Sequence, residues 1–330
     1  KDFPLWAYHK EKKPNYEAWF GMRELPKLNT DNAQVRDFIF RVAEYWVNKG
    51  IDGWRLDVPL DIKTPGFWEE FRQRLRRINP EVYLLAEIWD DAQPWLQGEH
   101  FDAVMNYPFN RACYGFFGGK ALDTSERPGG FRIRRLDARN FARRIDRSLG
   151  LYHWDVVLAQ YNLLSSHDEP RFLTMVGGDK QRLRLATLFQ MVFPGAPGIY
   201  YGDEIGMEGG PDPDCRGSFS WDEKSWDTEL LADFRRFIAL RTEHPVLRRG
   251  NFATLHAERY TYVCARTGAE ETVIVAFNLG QKAAQVELDM HDLVSDDAIW
   301  TETWTQATLP VVEETLTLEL NPMSARVLIR

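Results

Sequence analysis

Asp57, Glu87 and Asp168 each close an apolar run, and each has an unusual neighbour. In Gly53-Trp54-Arg55-Leu56-Asp57-Val58, Arg55 and Asp57 share one face of an extended chain, because strand side chains alternate. A guanidinium beside a carboxylate favours its ionised form, and an ionised carboxylate can be a nucleophile. An isolated Arg-x-Asp is more often a structural ion pair, so the other two carboxylates decide the reading. Glu87 ends Val82-Tyr83-Leu84-Leu85-Ala86 and is followed by Ile88 and Trp89. Apolar surroundings and a nearby Asp57 charge both raise a carboxyl pKa and favour a proton donor. Asp168 follows His167 at the end of a third run. One carboxylate to attack and one carboxylic acid to donate is the pair that hydrolysis of a glycoside needs. A third can hold hydroxyls and stabilise developing positive charge.

The elements that must position these groups can be read from periodicity. Apolar residues at Val35, Phe38, Ile39, Val42, Tyr45 and Trp46 have helical spacing, with Thr30 or Asp31 as cap and Gly50 past the end. Further helices are expected over residues 66–78, 136–150, 179–192 and 226–243. Strands are expected over 51–58, 82–88, 101–106, 161–166 and 198–201, and residues 107–135 read as irregular and glycine-rich. Strands alternating with helices at this spacing make β-α units and a parallel sheet. Polar groups past four strand ends (Asp57, Glu87, His167-Asp168 and Asp203-Glu204) favour a barrel rim over a single switch point. From about residue 250, short runs rich in β-branched and aromatic residues (258–265, 271–278, 283–289, 298–304, 314–320 and 324–330) predict an antiparallel β-sandwich.

Composition narrows the classes. Of 330 residues 44% are hydrophobic, enough for a large core, and the length suggests about two domains. A net charge of −8 without a long basic run argues against nucleic acid as main partner. No apolar run is long enough to predict a membrane span. Cys113, Cys215 and Cys264 are too scattered for a disulfide framework or a metal motif. Twelve tryptophans exceed ordinary packing needs and suit a sugar cleft.

In order along the chain, these segments resemble the α-amylase family of retaining glycoside hydrolases, particularly its neopullulanase, cyclomaltodextrinase and maltogenic amylase branch. Gly53 to Val58 resembles the motif on barrel strand 4, Glu87-Ile88-Trp89 that on strand 5, and Ser166-His167-Asp168 that on strand 7. Leu25 to Asn29 resembles the short motif near the end of domain B. Asp102 to Phe109 resembles the strand 6 region, and Gly195 to Glu204 the strand 8 motif. The resemblance implies Asp57 as nucleophile, Glu87 as general acid/base and Asp168 as transition-state stabiliser. Arg55, His167, Trp89 and Asp61 are the implied substrate-site residues, with no metal and no cofactor. Asp203 and Glu204 read as loop ties and Tyr107 as architectural. His9, His100, His153 and His244 read as surface or packing residues, and Arg143, Arg144 and Arg147 as a solvated face.

The sequence departs from the branch in two places. Pro59-Leu60-Asp61 replaces the usual Ala-Asn-Glu on the leaving-group side. The strand 3 motif ending in Asn-His does not occur upstream of residue 25. Only five barrel strands are found, resembling strands 4 to 8, where a (β/α)8 barrel needs eight. The expected fold is therefore α/β: a (β/α)8 TIM barrel lacking its first three strands, then an antiparallel β-sandwich. Residues 1–29 are expected to be the tail of domain B or a loop, 30–247 barrel, and 248–330 the sandwich domain. The expected activity is retaining hydrolysis of α-1,4, or α-1,6, bonds in cyclodextrins, maltooligosaccharides, pullulan or starch. The alternatives are a transglycosylase or trehalose-forming enzyme, and an inert fragment or non-catalytic sugar-binding member. The expected partner is an α-glucan oligosaccharide, with a homodimer and a cytoplasmic location implied by the branch.

Overall fold

The computed structural model describes residues 16–291 and 298–330; His9 and the first half of the expected N-terminal loop lie outside them. Five parallel strands follow one another in chain order. β1 (Gly53–Leu56) pairs with β2 (Tyr83–Ala86), which pairs with β3 (Ala103–Val104). A single parallel bridge from Met105 to Tyr161 leads to β4 (Tyr161–Leu163), which pairs with β5 (Ala196–Gly198). Parallel pairing turns every C-terminal end to the same rim. Between β1 and β2 the backbones approach closely, and a Cβ on Gly53 would lie 2.1 Å from the Tyr83 carbonyl oxygen.

Helix α1 (Ala33–Asn48) precedes β1. Its cap is Asn32, whose side chain accepts from the Gln34 N–H at 2.8 Å, and not the expected Thr30 or Asp31. Those two residues instead contact the Thr64 hydroxyl, each at 2.7 Å. The buried stripe of α1 is also not the expected one. Phe40, Ala43 and Val47 are buried, while Phe38, Val42, Tyr45 and Trp46 are exposed. The helix carries apolar residues on two sides, and among the described residues the side toward α2 (Phe67–Ile78) is the better covered, with Phe40 and Phe67 rings 5.0 Å apart. Helix periodicity alone does not say which stripe finds a neighbour.

The segment expected to be irregular is largely a helix, α3 (Tyr107–Gly118). Asn106 caps it by accepting from the Phe109 N–H at 3.1 Å, and Pro108 sits in its first turn. Its glycines serve packing rather than turns: a Cβ on Gly115 would lie 2.7 Å from the Arg134 carbonyl oxygen. Then come α4 (Ala138–Gly150), α5 (Trp154–Ala159), α6 (Phe172–Met175), α7 (Lys180–Val192), α8 (Thr228–Glu243) and α9 (Val246–Arg249). Asp137, Asp179 and Asp227 cap α4, α7 and α8. Arg143, Arg144 and Arg147 lie on the exposed side of α4. Strand β5 ends at Gly198, so the strand expected over 198–201 is misplaced. The register against Tyr161–Leu163 fixes β5 earlier, and the Tyr200 and Tyr201 rings cover the Arg171 guanidinium.

The described residues from 251 onward form antiparallel strands. Strands β6 (Asn251–Glu258), β7 (Thr261–Thr267), β8 (Thr272–Asn278), β9 (Ala284–Asp289), β10 (Ile299–Glu302), β11 (Thr308–Pro310), β12 (Thr315–Leu320) and β13 (Ser324–Ile329) form two sheets, β11-β10-β13-β8-β7-β6 and β12-β9. The single strand expected over 258–265 is a hairpin of β6 and β7, with Arg259 at a left-handed φ of 48° in its turn. Strands β7 and β8 are buried on both faces. Val263, Ala265, Ile274 and Ala276 pack with Leu316 and Leu318 in the sandwich. Tyr262, Cys264, Val275 and Phe277 join Phe117, Phe141 and Phe189 from the helices. The α/β part thus rests on the sandwich through a shared core. Each fully buried ring in it contributes about 1.5–3 kcal/mol. Among the described residues no helix is long and apolar enough to cross a membrane.

Candidate active site

Asp57 is the first residue past β1, and Glu87 the first past β2. Asp168 lies in the loop that leaves β4. All three meet at Arg55. Its Nη1 is 2.6 Å from Asp57 Oδ1, and its Nη2 is 3.2 Å from Glu87 Oε2 and 3.9 Å from Asp168 Oδ2. Arg55 is steadied from below, where its Nε points at Met105 Sδ at 3.5 Å. One guanidinium therefore gathers three acidic side chains from three β-α units.

The environments of the three differ. The Asp57 side chain is 79% exposed and open to an incoming molecule. Glu87 is 6% exposed. Its Oε2 accepts from the Val58 N–H at 3.0 Å and its Oε1 from Trp89 Nε1 at 3.1 Å. Val58 adopts a left-handed φ of 36°, a costly conformation for a β-branched residue that aims its N–H at Glu87. Burial pushes the Glu87 pKa up. The Val58 N–H and Arg55 oppose that rise, and the charges of Asp168 and Asp57 add to it.

Asp168 is held from two sides. His167 Nε2 is 3.1 Å from Oδ2 and Arg216 Nη2 is 3.3 Å from Oδ1. Arg216 Nε also donates to the His167 carbonyl at 2.8 Å. Sequence reasoning missed Arg216. It lies 48 residues beyond Asp168 in a loop without periodicity, and only the fold brings it back.

Trp89 stacks on Tyr107 with ring centres 3.7 Å apart and planes 5° apart, so Tyr107 supports the partner of Glu87. Gly129, at φ +57°, presses on the Trp89 ring, and a Cβ there would lie 2.1 Å from Cζ3. Gly129→Ala is expected to displace the Trp89 ring from Glu87, seen as a change in tryptophan fluorescence with far-UV circular dichroism unchanged. Asp61 sits in the short turn Pro59–Asp61 and pairs with Lys27 at 3.2 Å. With Asp57, Trp19 and Leu28 it lines a cleft of about 550 Å³. The turn is fixed by α2, where Trp68 Nε1 donates to the Pro59 carbonyl at 3.0 Å.

Other polar groups lie outside the cluster. Buried Asp203 pairs with Arg171 at 2.9 Å and ties the loop after β5 to the one after β4. His100, His153 and His244 contact Glu69, Asp155 and Glu271.

The family model for the α-amylase catalytic domain matches residues 2–249. The chain belongs to the α-amylase family. A cyclomaltodextrinase of Geobacillus thermopakistaniensis (strain MAS1) is 43% identical over 291 residues, covering 87% of this chain and 46% of that protein. Neopullulanase 2 of Thermoactinomyces vulgaris is 40% identical over 286 residues, covering 86% and 46%. The crystal structure of Ttha1563 from Thermus thermophilus superposes with a TM-score of 0.93 at 40% identity, covering 99% of this chain and 68% of that one. The chain spans about half the length of the curated relatives it matches. The matched residues 2–249 include all five parallel strands and the three acidic groups at their rim.

Proposed function

We propose that this α-amylase family chain carries the catalytic carboxylates of a retaining α-glucan hydrolase. The observation that carries the reading is the convergence of Asp57, Glu87 and Asp168 on Arg55, with one acid exposed and one buried. In this reading Asp57 attacks the anomeric carbon while Glu87 gives its proton to the leaving oxygen. Glu87 then takes a proton from water, which displaces Asp57 from the glycosyl-enzyme. Asp168 and His167 hold sugar hydroxyls and offset the oxocarbenium-like charge. Asp61 belongs to the leaving-group side, and Trp89 holds Glu87 through its Nε1. Relatives named cyclomaltodextrinase and neopullulanase support α-glucans as substrates. Five parallel strands resembling barrel strands 4 to 8 support an eight-stranded barrel as the scaffold.

Proton NMR of products from a cyclodextrin or maltooligosaccharide tests this. The first sugar released should be the α-anomer; a β-anomer appearing first rules out retention. The pH dependence gives a second check. Glu87 must be protonated to donate, so activity falls as pH rises through its pKa. Because that pKa is raised, the alkaline limb of kcat/KM should lie above the ordinary carboxylate range near about 4.3.

A further inference from the structure

Glu169 follows Asp168 in the chain, is 1% exposed, and has one carboxyl oxygen without a hydrogen-bond partner. A buried carboxylate in that state is costly unless it is paired or neutral. Arg111, the cation whose charge acts on it, is already engaged. Arg111 Nη1 donates to the Trp89 carbonyl at 2.8 Å, Nη2 reaches Asp90 at 3.3 Å, and the guanidinium lies 4.1 Å from the centre of the Phe131 ring. Among the described residues Glu169 has no ion pair.

Helix α3 presents Tyr107, Asn110, Arg111 and Tyr114 at i, i+3, i+4 and i+7, one polar stripe on an otherwise apolar helix. Asn110 donates to the Leu164 carbonyl at 2.9 Å and Tyr114 to the Pro170 carbonyl at 2.8 Å. These bonds grip the β4 loop on either side of Glu169. Tyr107 Oη and Asn110 Oδ1 are also buried without partners. A carboxylic acid can donate a hydrogen bond in such a seam, whereas a carboxylate can only accept.

We propose that Glu169 is a positioning residue: its uncharged carboxyl docks the β4 loop on the polar stripe of α3 and thereby sets Asp168 toward Arg55. This rests on the assignment of Asp168 to the active site. The titratable groups that face Glu169 are Arg111, Tyr107 and Tyr114 from α3 and Asp168 from its own loop. Burial pushes the Glu169 pKa up to about 8; Arg111 lowers it and the Asp168 charge raises it. The folded protein therefore keeps a proton that the unfolded chain loses near the ordinary carboxylate value. Stability attributable to Glu169 falls as pH rises between those values.

Two variants test the proposal. Glu169→Gln keeps a neutral donor and has no proton to lose. Its Tm relative to wild type should rise by about 5 °C from pH 5 to pH 8, with kcat within about threefold of wild type. Glu169→Ala removes the donor, and kcat on a maltooligosaccharide should fall about 10–100-fold with KM little changed. A Tm difference for Glu169→Gln that does not vary with pH would show the carboxyl to be ionised and overturn the proposal. Full kcat in Glu169→Ala would overturn the positioning role. The melting series needs no substrate, so it stands or falls separately from the assignment of function.

Discussion

Glu87→Gln should lower kcat on a maltooligosaccharide by about 10²–10⁴-fold, the range contributed by a placed general acid. Gln fills the same space and keeps the Val58 and Arg55 contacts, but it cannot release a proton. The loss should depend on the leaving group. A glucosyl fluoride, whose departing anion needs no proton, should form the glycosyl-enzyme at a rate much closer to wild type. Asp57→Asn should lose activity on both substrate types, because no nucleophile remains to form the covalent bond. Arg55 still meets Glu87 and Asp168 in that variant, so the fold should survive. The burst of fluoride released before steady-state turnover separates these roles: Glu87→Gln should give the burst and then stall for want of a general base, and Asp57→Asn should give none. If either variant cleaves maltooligosaccharide near the wild-type rate, the assignment fails.

Arg266→Met should destabilise the protein by about 3–5 kcal/mol, because each buried carbonyl left without a donor costs about 1–3 kcal/mol. Arg266 is 1% exposed and has no carboxylate partner among the described residues. Its guanidinium instead donates to four backbone carbonyls: Asn251 at 3.1 Å, Val192 at 2.7 Å, Leu247 at 2.6 Å and Gly250 at 2.6 Å. Those carbonyls lie at the end of α7, in α9 and at the start of β6, where the helical part meets the sandwich. Arg241, from α8, does the same beside it, with donors to Met191, Phe193, Leu247 and Gly195. Burial and the neighbouring Arg241 both lower the Arg266 pKa, yet the carbonyl dipoles hold it in place. Methionine fills part of the volume but takes these donors from the Val192 and Gly250 carbonyls in a dry interface, while Leu247 keeps its bond from Arg241. Lysine, a single ammonium, cannot span them. Differential scanning calorimetry should show Tm lower by about 4–7 °C. An unchanged Tm would mean that the two parts are held by the shared aromatic core alone.

The three carboxylates were legible because strand periodicity is local. An apolar run ending in Asp57, Glu87 or His167-Asp168 reports its own strand, and parallel strands share a rim. Caps were less legible. Several Asp and Asn residues stood near each helix start, and Asn32 rather than Asp31 satisfied α1 because Asp31 was drawn to Thr64. The glycines of 107–135 looked like turn signals, whereas Gly115 lies within α3 to admit the Arg134 backbone.

Sequence by itself determined the strand-helix alternation and the switch to antiparallel strands near residue 250, which follow from side-chain periods of about 3.6 and 2 that each segment carries independently of its neighbours. The acidic groups stood out as carboxylates at strand ends, and the resemblance of the ordered motifs implied their roles. Only the tertiary structure decided that Arg55 touches all three acids, that Arg216 returns to Asp168, that Trp89 serves Glu87, and that Glu169 is buried. These contacts join residues as far as 113 positions apart, and their energies depend on burial and distance, which no local pattern encodes.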